Sequence, residues 1–333
     1  MTAIARIGIA GGGAWGTALA LVALRAGTDV TVWARESHVV DSINSAHTNP
    51  FLPAATLPPD LRATGDLTAL AACDAVLLAP PAQHMREVCA ALALSLGLGT
   101  PLVVCAKGIE AGTGALLSEV VAETLPGHPV AVLSGPTFAA EVARGLPTAV
   151  TLATTDSGLA KVLVAALGAP EFRPYAARDL VGAQVGGAVK NVLAIACGIV
   201  TGRNLGDNAR SALVTRGLAE MLRLGVALGA DAATLMGLSG LGDLVLTCSS
   251  AQSRNMSLGI ALGRGEALAD VLDARTSVTE GVATSAAIVA LSSRTGVELP
   301  ISAAVDSIVN RGEPIDGAIR GLLERPFRAE GDD

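Results

Sequence analysis

The chain has 333 residues, 51% of them hydrophobic and only 2% aromatic, and carries a formal net charge of −7. That length serves two domains of ordinary size, and that apolar fraction excludes a disordered chain. The negative charge argues against a nucleic-acid partner, which selects a basic surface, although a local basic pocket for a small anion stays compatible with it.

In chain order, the first half alternates short β-rich runs with helical stretches. Residues 4–10 read as an apolar strand ending in glycines, residues 14–26 as a helix closed by Gly27, and residues 30–33 as a second strand. Residues 47–59, rich in proline and asparagine, read as a loop. Apolar strands follow at 75–79, stopped by Pro80-Pro81, then at 102–106 and 130–133, with late edge strands at 148–152 and 171–175. Continuous apolar runs separated by helices are the pattern of buried parallel strands and their crossovers. From about residue 179 the strand runs nearly vanish. Long helical stretches take over at 180–200, 210–228, 285–294 and 301–310. The expected class is an α/β domain with a doubly wound, mostly parallel sheet over residues 1–178, followed by an all-α domain over 179–333. The last six residues, Arg328 to Asp333, are expected to fray.

The mean hydropathy of +0.54 raises the question of a membrane span. Its best candidate, residues 181–200, contains Gln184, Lys190, Asn191 and several glycines, and reads as a buried helix rather than an inserted one. The N-terminus enters a strand pattern without a charged region followed by an apolar one, so no signal peptide is expected. The five cysteines are scattered, fit neither a zinc site nor a disulfide framework, and suit a cytoplasmic protein. The four histidines have no metal-like spacing, and no metal is expected.

Gly11-Gly12-Gly13-Ala14-Trp15-Gly16 fits G-x-G-x-x-G. In that pattern Gly11 permits a tight turn, Gly13 lets backbone approach a pyrophosphate, and Gly16 lets helix and strand pack closely. The helix N-terminus faces the phosphate charge. A glycine cluster alone is a common loop. This one follows an apolar strand and opens a helical stretch, the context that dinucleotide binding in a Rossmann domain requires. The ribose is read at the end of the second strand, where a carboxylate suits NAD and an arginine accommodates the 2′-phosphate of NADP. Trp33-Ala34-Arg35-Glu36 stands there, so Arg35 favours NADPH while NADH stays possible. The other reading of Arg35 is an exposed loop arginine.

A second stretch, Gly186-Gly187-Ala188-Val189-Lys190-Asn191, places a lysine and an asparagine inside an apolar helix. Reduction of a ketone leaves negative charge on oxygen, which some group must stabilise and protonate. A lysine does both while it is an ammonium, and desolvation brings its pKa down from about 10.4 towards neutrality. Lys190 is therefore either such an acid or a lysine that snorkels to the surface. Asn191, about 100° away around the helix, either lines the cleft near the nicotinamide or makes a core hydrogen bond.

Further blocks are Ala106-Lys107-Gly108-Ile109-Glu110, Ser134-Gly135-Pro136-Thr137-Phe138-Ala139, Asn208-Ala209-Arg210, Gly240-Leu241-Gly242-Asp243-Leu244-Val245-Leu246-Thr247-Cys248 and Gln252-Ser253-Arg254-Asn255. With the glycine turn and the Lys190 stretch, this set closely resembles the bacterial NAD(P)-dependent sn-glycerol-3-phosphate dehydrogenase family, in the family's order, from the start of the chain to about Gly281. The resemblance implies interconversion of dihydroxyacetone phosphate and sn-glycerol 3-phosphate, in the reductive direction supplying glycerophospholipid synthesis. It implies Lys190 as the catalytic acid/base. Lys107, Gly135, Thr137, Asn191, Asp243, Ser253, Arg254 and Asn255 are implied to border the substrate. Gly11, Gly13, Ala14, Trp15, Gly16, Arg35, Lys107, Ala139, Arg254, Val278 and Glu280 are implied to border the cofactor. Ala14 stands where the family often has serine.

Without the resemblance, Asp243 reads as a turn aspartate. Ser253-Arg254 reads as an ordinary cap with a surface arginine, and Lys107 as a solvated strand-end lysine. Two other readings of the chain are a Rossmann dehydrogenase of a small hydroxy acid and a nucleotide-sensing protein without turnover. The expected partner is a small phosphorylated substrate, without nucleic acid or membrane insertion, and a homodimer is possible.

Overall fold

The computed structural model describes residues 3–275 and 278–327; the terminal residues expected to fray lie outside the described part. Eight strands make one sheet: β1 (Arg6–Ala10), β2 (Asp29–Trp33), β3 (Arg62–Thr64), β4 (Ala75–Leu78), β5 (Leu102–Val104), β6 (Val130–Ser134), β7 (Thr148–Ala153) and β8 (Phe172–Ala177). Their order across the sheet is β3-β2-β1-β4-β5-β6-β7-β8. β1 pairs in parallel with both β2 and β4, so the chain winds outward to either side of it. The sheet stays parallel out to β6. There β7 runs antiparallel to β6 and carries β8 parallel to itself. The three-residue β3 was not legible as a strand, because Arg62-Ala63-Thr64 offers no apolar run.

Helices α1 (Ala14–Arg25), α2 (Ser37–Asp41), α3 (Met85–Leu92), α4 (Leu117–Thr124), α5 (Ala139–Ala143) and α6 (Ser157–Leu167) connect the strands. Both sheet faces are covered. Ile7, Ile9, Val30 and Val32 pack in one buried cluster with Leu19 and Leu163, while Val76, Leu78, Leu102 and Val104 pack in another with Met85 and Val120. Alternate residues of a strand point to opposite faces, so burial on both faces is what makes these strands continuously apolar.

The second half holds α7 (Leu180–Gly202), α8 (Gly206–Ala227), α9 (Ala232–Leu235), α10 (Asp243–Ser249), α11 (Arg254–Gly263), α12 (Leu268–Asp273), α13 (Glu280–Thr295), α14 (Pro300–Arg311) and α15 (Ile315–Leu323). α7 is the axis of this half. Asp179 caps it, Oδ1 accepting from the Gly182 N–H at 2.8 Å, while Oδ2 accepts from the Asp231 N–H at 2.8 Å. By length and composition α7 and the broken run Ala232–Ser249 are long and apolar enough to cross a membrane, yet 89% of the most apolar 18-residue stretch of α7 is buried inside the protein. Its glycines explain how it packs. A Cβ on Gly198 would lie 2.2 Å from the Met256 carbonyl oxygen, and one on Gly259 would lie 2.1 Å from that of Ile195. α7 and α11 thus meet backbone to backbone. At its other end α7 leans on the sheet: a Cβ on Gly187 would stand 2.8 Å from Ser134 Oγ and 3.4 Å from Lys107 Cγ. That contact carries Lys190, one turn further on, to the C-terminal edge of β5 and β6, the edge where open α/β sheets bind ligands.

Candidate active site

The site starts at the turn after β1. Gly11 adopts φ +131°, and a Cβ there would lie 2.7 Å from the Ala79 carbonyl oxygen, so only glycine fits. Gly16 is equally constrained, with a Cβ 1.9 Å from the Gly11 carbonyl oxygen. Gly13 differs: a Cβ built on it meets nothing within 4 Å. The space beside Gly13, at the N-cap of α1, is open, as a bound pyrophosphate needs. Ala14 is the first helical residue, and Trp15 donates from Nε1 to the Cys105 carbonyl at 3.1 Å, tying the turn to the end of β5. Arg35 follows β2, exposed, with Nε and Nη2 donating to Glu36 Oε1 at 3.2 and 3.0 Å.

The charged centre lies where α7 meets the sheet edge. Lys190 Nζ donates to Asp243 Oδ1 at 2.6 Å and to Thr247 Oγ1 at 2.9 Å. Lys107 Nζ donates to Asp243 Oδ2 at 2.7 Å, to the Gly135 carbonyl at 2.7 Å and to Thr137 Oγ1 at 3.2 Å. One carboxylate, fully buried, thus holds two ammonium groups. Burial pushes the Lys190 pKa down to about 8; the Asp243 charge opposes that shift and the Lys107 charge reinforces it. Lys190 does not snorkel, since it is only 6% exposed. The reading of Asp243 as a turn aspartate is corrected by the structure: it is the first residue of α10, wholly buried. Thr247 is a site residue that the sequence reading does not assign. It lies four residues after Asp243, one helical turn along the same face, and that spacing was the available signal.

Asn191 points into a tie between helices. Its Nδ2 donates to the Lys107 carbonyl at 3.2 Å and the Gly187 carbonyl at 3.3 Å, while its Oδ1 accepts from Asn255 Nδ2 at 2.9 Å. Asn255 Oδ1 in turn accepts from the Gly281 N–H at 3.0 Å. A core hydrogen bond is thus present at Asn191, and Asn255 shares it. Ser253 caps α11, Oγ accepting from the Met256 N–H at 3.2 Å. Arg254 opens the same helix, and its guanidinium has no hydrogen-bond or ion-pair partner among the described residues. Desolvation lowers its pKa against the opposing charge of Glu280. Glu280 Oε1 accepts from the Ala82 N–H at 3.1 Å across the two halves of the chain, whereas its buried Oε2 has no partner. Burial raises the Glu280 pKa; the Ala82 N–H and the Arg254 charge work the other way. Ala139 begins α5 after the Gly135 turn, and Val278 is 48% exposed beside Glu280.

The residues implied for the cofactor and the substrate therefore surround the C-terminal edge of the sheet. An open glycine turn, an unpartnered guanidinium and an orphaned buried carboxylate oxygen fit a dinucleotide and a small anion.

Two family descriptions match the chain: "NAD-dependent glycerol-3-phosphate dehydrogenase N-terminus" over residues 6–160 and the corresponding C-terminus over residues 179–320. An NAD(P)+ glycerol-3-phosphate dehydrogenase of Parvibaculum lavamentivorans is 57% identical over 326 residues, with 98% of each chain covered. One from Caulobacter vibrioides is 55% identical, again with 98% of each covered. Among solved structures, glycerol-3-phosphate dehydrogenase from Coxiella burnetii superposes with a TM-score of 0.93 at 41% identity, covering 96% of this chain and 99% of that one. A ketopantoate reductase from Ralstonia eutropha, 17% identical with a TM-score of 0.59 over 94% of this chain and 99% of its own, shares the fold alone.

Asp243→Asn removes the charge that holds the Lys190 pKa up, leaving burial and Lys107 to push it down. Followed by NMR of ε-carbon-labelled lysine, the Lys190 titration is expected to move from near 8 to a lower pH. An unchanged or raised midpoint contradicts the assigned pairing.

Proposed function

The chain belongs to the NAD-dependent glycerol-3-phosphate dehydrogenase family, and from that premise we propose that Lys190 is the general acid and base of its reaction. The enzyme interconverts dihydroxyacetone phosphate and sn-glycerol 3-phosphate with NAD(P)H. Bound over the glycine turn, the nicotinamide cofactor supplies the hydride. Everything else falls to this chain's own side chains. As the carbonyl π bond breaks, its electron pair moves onto oxygen. Lys190 gives that oxygen a proton from Nζ, and the resulting amine stays between Asp243 and Thr247. In the oxidative direction the same amine takes the hydroxyl proton. Burial makes this exchange easier near neutrality than for a solvated lysine. Lys107, its ammonium still paired with Asp243, stabilises the developing negative charge. The observation that carries the reading is the single buried carboxylate of Asp243 shared by two ammonium groups at the ligand-binding edge of the sheet.

Arg254 is assigned to the substrate phosphate, aided by the free N–H groups of the α11 terminus capped by Ser253. Lys107, Gly135, Thr137 and Asp243 complete the substrate side. Asn191 and Asn255 hold Lys107 and α13 in place around it. Gly11, Gly13, Ala14, Trp15, Gly16, Arg35, Ala139, Val278 and Glu280 make up the cofactor side, with the Glu280 Oε2 facing it. Arg35 is assigned to the 2′-phosphate, which gives a preference for NADPH with NADH also used. The same reading places the enzyme in the cytoplasm, working reductively for glycerophospholipid synthesis. It pairs two copies through the helical half, where Val226, Met236 and Val245 are exposed.

Two substitutions test the assignments. Arg254→Ala is expected to lower turnover as well as raise KM for dihydroxyacetone phosphate, because binding of the remote phosphate orients the reacting carbon. With dihydroxyacetone, which has no phosphate, the effect shrinks. Equal losses on both substrates would instead assign Arg254 to cofactor or fold. Arg35→Asp is expected to lower the NADPH-to-NADH ratio of kcat/KM about tenfold or more, since a charge-assisted hydrogen bond contributes about 1.5–3 kcal/mol. An unchanged ratio contradicts the assignment.

A further inference from the structure

The glycine turn has a partner that its own motif does not contain. Asn49 lies in the loop that follows α2, 37 residues beyond Gly12, and is 1% exposed. Both of its N–H donors are engaged, and its carbonyl oxygen accepts one hydrogen bond. Nδ2 donates to the Gly12 carbonyl at 2.9 Å and to Thr17 Oγ1 at 2.8 Å, and Oδ1 accepts from the Phe51 N–H at 2.8 Å.

The bond to Gly12 has a geometric consequence. The Gly12 carbonyl and the Gly13 N–H belong to one planar trans peptide and point in opposite directions. Holding the carbonyl against Asn49 turns the Gly13 N–H the other way. No protein acceptor meets that N–H among the described residues, and a Cβ built on Gly13 would meet nothing within 4 Å. Three successive glycines have little stiffness of their own, so a peptide flip here is opposed by few other constraints. Thr17, the second recipient of Nδ2, lies in the first turn of α1, whose N–H bonds the Gly13 carbonyl at 3.0 Å. Asn49 thus ties the turn and the start of α1 to one buried point.

We propose that Asn49 is a positioning residue for the cofactor: it orients the Gly12–Gly13 peptide so that the Gly13 N–H is presented to the pyrophosphate before the cofactor arrives. This rests on the reading that the turn holds the pyrophosphate. Donors fixed in advance bind without an ordering penalty.

The test measures dissociation constants for ADP-ribose, which carries the pyrophosphate, and for 2′-AMP, which does not, together with thermal unfolding. Asn49→Ala is expected to weaken ADP-ribose at least tenfold and leave 2′-AMP within about threefold. Asn49→Asp keeps the side-chain volume and the acceptor for Phe51 but cannot donate to Gly12, so it serves if the alanine variant does not fold, with the same loss expected. Thr17→Val removes the other recipient of Nδ2 while sparing the Gly12 anchor. It is expected to lower the unfolding temperature and keep ADP-ribose within about threefold. Full ADP-ribose affinity in a folded Asn49 variant overturns the proposal. So does a loss in Thr17→Val as large as that in Asn49→Ala, which would make Asn49 merely structural. Gly13→Val separates the underlying reading, because a Cβ on Gly13 meets no protein atom within 4 Å and the added methyls crowd a ligand lying on the turn. Should Gly13→Val still bind ADP-ribose, the turn does not hold the pyrophosphate. Should it lose binding while Asn49→Ala keeps it, only the role of Asn49 falls.

Discussion

The site depends on Asp243 accepting from Lys107 and Lys190 at once, with Asp243 and Lys190 buried and Lys107 part-buried beside them. The three arrive from separate places: Lys107 from the end of β5, Lys190 from the middle of α7, Asp243 from the start of α10. A buried carboxylate needs compensation, and a buried ammonium needs it equally. Two cations against one anion leave an excess of positive charge at the ligand-binding edge of the sheet, and that excess suits an oxygen acquiring negative charge. Neither the helical half nor the sheet can form this centre alone.

Close packing brings it about. The chain carries 38 glycines and hardly any aromatic residues, and α7 shows what that composition does. A Cβ on Gly186 would lie 2.4 Å from the Ser239 carbonyl oxygen. Gly186 therefore lets the turn before α10 settle against α7, which delivers Asp243 to Lys190. Gly187 lets the helix settle on Ser134 and the Lys107 stem. Larger side chains at these positions would hold the three charged groups apart. The small residues of an apparently featureless helix thus set its electrostatics, and the Asn191–Asn255–Gly281 tie fixes α11 and α13 around the result.

Much of this was legible in the sequence. The central strands stood out as short apolar runs because both faces of the sheet are buried there, β8 was expected as a late edge strand and is largely exposed, and α7 stood out by its length. β3 did not, since its three residues gain their strand character from pairing with β2 alone. The glycine turn was readable because its chemistry is backbone chemistry. Lys190 was visible as a charge in an apolar helix, and the fall in its pKa follows from that setting. Partners distant in sequence were not readable from the residues themselves; only the resemblance implied that Asp243 borders Lys190, where a carboxylate orients the ammonium. Nothing near Asp243 reveals that it is buried, or that it reaches residues 53 and 136 positions earlier. Asn49 looked like one polar residue of a loop, because its role lies in a contact with Gly12 that only the folded chain creates. The hydrogen bond between the Asn191 and Asn255 amides is likewise a contact that the sequence does not display.

The central claim is that Lys190 delivers the proton, and Lys190→Met tests it most directly. Methionine nearly matches the length of lysine and keeps its apolar stem, and the glycine turn lies on another element. NADPH affinity and single-turnover hydride transfer to dihydroxyacetone phosphate should be measured on one folded preparation. The account predicts NADPH affinity near that of the unmodified enzyme. It predicts hydride transfer slowed about 10²–10⁴-fold by the loss of the acid, and further by the loss of charge stabilisation. Hydride transfer that stays within a few-fold of the unmodified enzyme would contradict it.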